Sequence, residues 1–183
     1  ATDKLVNSDY YKNGNWDFIL ASARISVDEK DWRSARMMYD RIKDKAPFVK
    51  YEAAEAYIAG HDPEEALNIY DELNQTSIRS LQGRIAAYLN IGSDSDLLNA
   101  IFDYLDNEYI GINDYAEGVT MLLETDRLEG AKRILDRMAI SNKKDPAYLA
   151  SYSKYLLAIG DVRTAKRVSK EAARRGNDDV SVK

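Results

Sequence analysis

Between Tyr51 and Ile58 the apolar residues Tyr51, Ala54, Tyr57 and Ile58 fall at the three- and four-residue spacing of one helix face, and the run stops at Gly60. Gly60 is read as a left-handed cap, because glycine carries no Cβ to clash there. Asp62 and Pro63 restart the chain as N-cap and first-turn proline, with Glu64 and Glu65 at the positive end of the new helix dipole. The pattern predicts a helix, a tight turn and an antiparallel helix. The same grammar returns near the C-terminus, where Asp145-Pro146 opens a helix, Gly160 closes it and Asp161 starts the next. In between, Gly92 closes a helix and Asp94 or Ser95 caps the one that follows. Period-two alternation flanked by hairpin turns is absent from the sequence, so the predicted fold class is all-α.

The second helix of each hairpin begins on a small or apolar residue, at Ala35, Ala66, Leu97, Ala131 and Ala165, with spacings of 31, 31, 34 and 34 residues. A recurrence of this length marks a helical solenoid, in which each hairpin buries its apolar face against the next. It predicts five units at about 16–46, 47–77, 78–111, 112–145 and 146–176. Residues 1–15 form an N-terminal flank, with "SDYYKNG" and its Tyr10 and Tyr11 read as the end of a preceding repeat, and residues 177–183 form a tail.

These units resemble tetratricopeptide repeats. The resemblance rests on the period and on small or apolar residues where the paired helices touch. Those residues are Ala23, Ala54, Ile85, Val119 and Ser153 on the first helices, facing Ala35, Ala66, Leu97, Ala131 and Ala165 on the second. Tyr39 and Tyr70 match the bulky aromatic of the second helix, and Pro47 the terminal proline. It implies a right-handed superhelical solenoid of about five antiparallel helix pairs, whose concave groove is lined by first helices. It also implies a non-catalytic scaffold for protein or peptide partners. Mapped onto this sequence, the groove-facing positions are Asp17, Leu20, Arg24, Tyr51, Glu55, Arg79, Gln82, Ala86, Ala116, Thr120, Ala150 and Lys154. The polar and aromatic ones among them, Asp17, Arg24, Tyr51, Glu55, Arg79, Gln82, Thr120 and Lys154, are the candidate partner-binding residues. The lysines and asparagines with which some relatives hold a peptide's terminal carboxylate are missing from these positions. An array that captures a small ligand or glycan on its tyrosines is the alternative.

Composition narrows the function classes. No run of about 18 apolar residues exists, which excludes a helical membrane span. The net charge of −5 is distributed unevenly, at −5 over residues 1–75, −7 over 76–126 and +7 over 127–183. An acidic middle argues against nucleic acid, whose phosphates require a clustered positive surface. The basic end, with Lys166, Arg167, Lys170, Arg174 and Arg175 outside an apolar stripe of Ala165, Val168 and Ala172, predicts a polar end cap or an electrostatic contact. That contact is with an acidic partner or with the acidic middle of a second copy, in a weak and salt-sensitive self-association. Cysteine is absent, which removes disulfides and thiolate ligands. The opening residues lack both a methionine and an apolar leader. Together these features suit a segment of a larger cell-envelope or export-system protein, and localisation stays open between periplasmic or secreted and cytoplasmic.

Candidate chemistry is thin, and no catalytic, cofactor-binding or metal residue is assigned. His61, the one histidine, sits in a turn whose acids are explained as cap and first-turn residues. In "DYLDNEYIGIND" the carboxylates Asp103, Asp106, Glu108 and Asp114 are interrupted by core-like residues, so the stretch reads as a solvated loop instead of a calcium loop. Gly83 and Gly92 are read as bracketing a helix. Tyr39, Tyr57, Tyr70, Tyr88 and Tyr104, with Trp16 and Trp32, are assigned to the helix-packing core.

Overall fold

The structure is a computed structural model and describes residues 15–107 and 109–180. The flank containing Tyr10 and Tyr11, and Glu108, lie outside the described residues. Among the described residues there are ten α-helices and no strand: α1 (Trp16–Asp28), α2 (Trp32–Ile42), α3 (Pro47–Ala59), α4 (Pro63–Asp71), α5 (Ile78–Ile91), α6 (Asp94–Leu105), α7 (Ile112–Glu124), α8 (Leu128–Asn142), α9 (Pro146–Ala158) and α10 (Val162–Val180). A short 3-10 turn, Lys43–Lys45, joins α2 to α3. The last helix runs past residue 176, into the expected tail. Two compact units divide the chain, residues 1–104 and 105–183.

In the first unit α1 packs on α2 and α3 on α4, α2 leads onto α3 and α4 onto α5, and the first helices α3 and α5 also touch. In the second, α7 pairs with α8 and α9 with α10, α8 leads onto α9, and α7 touches α9. All ten small or apolar positions singled out in the sequence are buried, from Ala23, Ala35, Ala54, Ala66, Leu97, Val119 and Ala131 at 0% exposure to Ile85 and Ser153 at 6%. In the last hairpin the pair is joined directly, since the Ser153 hydroxyl donates to the Ala165 carbonyl at 3.2 Å. Tyr39, Tyr57 and Tyr70 fill the core of the first unit with Met38, Ile42 and Ile69. Trp16 packs against that core, whereas Tyr88 and Tyr104 are only half-buried.

The turns inside the hairpins correct one expectation. Gly60 has φ −86° and is not the left-handed residue; that role falls one position later, to His61 at φ +61°. Gly60 is instead a close approach, where a Cβ would lie 3.1 Å from the Trp32 Cβ. The left-handed positions are Lys30, His61, Gly92, Asp126 and Gly160, and they repeat the spacings 31, 31, 34 and 34. At four of them the amide of the following residue donates back to the carbonyl five residues earlier, as in Asp62 to Tyr57 and Asp161 to Leu156, both at 2.9 Å, which closes the exposed end of the first helix. Lys30, His61 and Asp126 hold this conformation against the crowding of Cβ with the backbone. Lys30→Gly, His61→Gly and Asp126→Gly are each expected to stabilise the protein by about 1 kcal/mol, read as a rise in thermal midpoint. A fall in all three would show that these side chains contribute more than their strain.

The caps differ in detail from the sequence expectation. Asp145 and Asp161 accept from the amides of Ala147 and Thr164 as expected, at 2.7 and 3.1 Å. Asp62 makes no cap and instead receives Arg36 Nη1 at 3.1 Å, because a cation from the preceding hairpin competes for it. The cap position of α6 is Ser93, one residue before Asp94, with its carbonyl accepting from Leu97 at 3.0 Å. Gly83 does not bracket a helix. It lies inside α5, where the phenol end of Tyr70 rests on it, and a Cβ there would fall 2.1 Å from Tyr70 Cζ.

Candidate functional site

The first unit carries two grooves along its first helices. The larger, about 530 Å³, is walled by Arg24, Trp32, Tyr39, Glu52, Glu55 and Ala56, with Asp28 on its rim. The smaller, about 310 Å³, is walled by Glu55, Ile58, Tyr70, Arg79, Gln82 and Ala86. Glu55 and Ala59 line both, so the two form neighbouring stretches of one face. Helix spacing produces this arrangement. Arg24 on α1, Glu52 and Glu55 on α3 and Arg79 and Gln82 on α5 project from consecutive first helices, while Tyr39 and Tyr70 reach up from the second helices beneath.

Charge is arranged in cross-helix pairs. Arg24 grips Glu52 with both arms, Nε to Oε2 at 3.0 Å and Nη2 to Oε1 at 2.7 Å, and the Tyr39 hydroxyl donates to the same carboxylate at 3.0 Å. These bonds, the arginine first, hold the Glu52 carboxyl below its ordinary range, and burial pushes the Tyr39 phenol up. Arg79 donates from both Nε and Nη2 to a single oxygen of Glu55, at 3.0 and 2.8 Å, and its guanidinium lies 4.8 Å from the centre of the Tyr51 ring. Tyr51 is fixed from below, its hydroxyl 2.8 Å from Ser77 Oγ and 3.2 Å from Ser80 Oγ.

Of the residues expected to face a partner, Arg24, Glu55, Arg79 and Gln82 are brought together along this face, and Ala86 with them. Tyr51 supports Arg79 from beneath the face. Asp17 is exposed in the first turn of α1, outside both grooves. Leu20 is buried, at 7% exposure, and belongs to the core of the first unit. In the second unit Thr120 and Lys154 meet across α7 and α9, Nζ to Oγ1 at 3.1 Å, near half-buried Ala116 and exposed Ala150. The sequence reading missed Glu52, Asp28, Trp32 and Tyr70 as wall residues. Trp32 was assigned to the core, but it is half-buried and faces the larger groove. A glycine inside a helix, Gly83, was the available signal for Tyr70.

The basic helix α10 buries Ala165, Val168 and Ala172, as expected from its stripe. Arg174 and Arg175 are both drawn onto Glu171, at 2.9 and 2.6 Å, while Lys166, Arg167 and Lys170 are exposed beside Arg163. The two arginines bring the Glu171 carboxyl down from 4.5 to about 2. A depressed carboxyl contributes stability that is complete above its unfolded pKa and lost as pH falls through the folded value. The clasp at the end of α10 is therefore expected to persist to pH 4.5 and to loosen between 4.5 and about 2, and NMR titration of the Glu171 side chain would locate the midpoint.

The acidic stretch after α6 has structural work. Asp106 pairs with Arg137, and Asp114 accepts from the Gly111 amide at 2.9 Å at the start of α7. His61 is an exposed turn residue.

No family model and no curated protein matches the chain. Among solved structures, a tetratricopeptide repeat protein from Parabacteroides merdae is similar over 90% of this chain and 68% of its own, with a TM-score of 0.61 and 15% sequence identity. The fold is that of a tetratricopeptide-repeat protein. The likeness at this identity is one of backbone architecture. No helix among the described residues is long and apolar enough to cross a membrane.

Proposed function

We propose that the chain is a non-catalytic interaction module that binds a segment of a partner protein along the α1–α3–α5 face. The observation that carries this reading is the pair of adjoining grooves, whose charged walls are already ordered by cross-helix ion pairs. A surface fixed before binding loses little freedom on association, so more of the contact free energy appears as affinity. Trp32 and the arginines add the side-chain types that dominate interface energetics. The step from tetratricopeptide-type fold to partner binding is one of analogy, and the grooves give it a location.

A phage-displayed dodecapeptide library selected on the purified chain tests this. Selected peptides should change the fluorescence of Trp32 in a Trp16→Phe background, and Glu55→Lys should remove their binding. A library without binders, or binders indifferent to Trp32 and Glu55, would refute the groove as the site.

The exposed cations Arg163, Lys166, Arg167 and Lys170 fall at i, i+3, i+4 and i+7 on α10, one continuous stripe. For this face we propose a weak electrostatic contact with the acidic region of a second copy. Exposed charge contacts fade as the screening length shrinks to about 3 Å at 1 M salt. Light scattering is expected to show association at low salt that vanishes at 1 M and in Lys166→Glu/Lys170→Glu. A monomer at every ionic strength would eliminate it.

A further inference from the structure

Counted at a shift of 31 residues, Tyr39 corresponds to Tyr70 and Arg24 to Glu55, and on the first helix that follows each hairpin Glu52 corresponds to Gly83. In the first copy the tyrosine hydroxyl has a partner, the Glu52 carboxylate at 3.0 Å. In the second copy glycine stands where the carboxylate should be. Tyr70 is fully buried, at 0% exposure, and its hydroxyl has no hydrogen-bond partner. A buried donor without an acceptor destabilises the fold, and native proteins hold few of them. Tyr70 also forms part of the wall of the 310 Å³ groove, so the missing acceptor faces a place that an occupant can fill.

The same comparison specifies the acceptor. In the first copy a cation, Arg24, holds the carboxylate beside the tyrosine. In the second copy its position is taken by Glu55, which would repel an incoming carboxylate. The nearby cation, Arg79, already donates twice to Glu55. The groove therefore suits a neutral acceptor. Its small walls, Ala59, Gly83 and Ala86, admit a main chain at close range, and the exposed Gln82 amide can both donate to and accept from a peptide group. The paired Glu55 and Arg79 side chains, 51% and 47% exposed, stand on the rim beside these small walls.

We propose that the Tyr70 hydroxyl anchors an extended partner peptide by donating to one of its main-chain carbonyls, in the place that the Glu52 carboxylate occupies one hairpin earlier. The proposal rests on the groove being the binding site. Its test is separable from that reading, because it uses peptides already shown to bind there.

Binding of the selected dodecapeptides to the full chain and to Tyr70→Phe would be compared by calorimetry. Tyr70→Phe should fold with an unchanged or higher thermal midpoint and bind about tenfold more weakly, the effect of one hydrogen bond. Each peptide amide is then replaced in turn by a thioamide, a poorer acceptor. One replacement should weaken binding to the wild type and leave binding to Tyr70→Phe unchanged. Gln82→Ala supplies a second readout on an exposed position and should weaken the same peptides. Equal binding by wild type and Tyr70→Phe would overturn the anchor and leave the groove as the site. Sensitivity that follows a peptide aspartate, glutamate or free C-terminus, and disappears on amidation, would overturn the neutral acceptor. A library without binders would overturn both.

Discussion

Gly83→Ala is expected to lower the stability of the first unit by about 2–3 kcal/mol, although the same exchange in an ordinary helix interior is worth about 1 kcal/mol in the opposite direction. The reversal comes from Tyr70. A Cβ at position 83 would lie 2.1 Å from Tyr70 Cζ and 2.2 Å from its oxygen. The end of an exposed side chain could step aside, but Tyr70 is at 0% exposure and packed among Ala53, Ala66 and Ile69. Either the ring leaves its rotamer or α4 and α5 separate. Thermal melts followed by circular dichroism would measure the loss. The double variant Gly83→Ala/Tyr70→Leu should be less unstable than the two single effects summed, because the smaller side chain accommodates the new methyl. A neutral or stabilising Gly83→Ala would refute the contact.

Ala66→Leu and Ala131→Leu are expected to cost about 1–3 kcal/mol each, for a related reason at a different kind of contact. Both alanines are at 0% exposure on second helices, one in each compact unit. Three added heavy atoms must push the helices apart or force neighbouring side chains off their rotamers. Since the residues lie in different units, each variant should lower its own part of the melt, and the two effects should add. An Ala66→Ser control, close in volume, should change the midpoint far less. Neutral behaviour of both leucine variants would mean that the helix pairs do not meet at these residues.

The hairpin architecture could be read from the chain because it depends on spacing. The residues at 35, 66, 97, 131 and 165 report where two helices touch, and a contact that tolerates only small or apolar side chains leaves its mark at every repeat. Prolines at 47, 63 and 146, each in the first turn of a helix, mark starts for an equally local reason. The misplaced features involve competition between positions. Gly60 has the residue type of a left-handed cap, yet it serves a close approach to Trp32, and the turn places His61 in the strained conformation. Asp62 had the chemistry of a cap, but Arg36 drew its side chain away. The candidate site was half visible. Arg24, Glu55, Arg79 and Gln82 came from the groove positions that the resemblance to tetratricopeptide repeats implies, whereas Glu52 and Tyr70 depend on which side chains meet across helices. Setting the chain against itself at a shift of 31 places Gly83 opposite Glu52 from the sequence alone.

The extensive contacts of α1 to α5 join helices one or two steps apart in the chain, so no part of this unit waits for a distant segment to arrive. Loop-closure entropy then enters one hairpin at a time. On the ribosome, a hairpin repeat of 31 residues takes a few seconds to emerge at about 5–20 residues per second. From α1 to α5, each new apolar stripe therefore finds its mate on a helix made just before it, while the chain is still being synthesised.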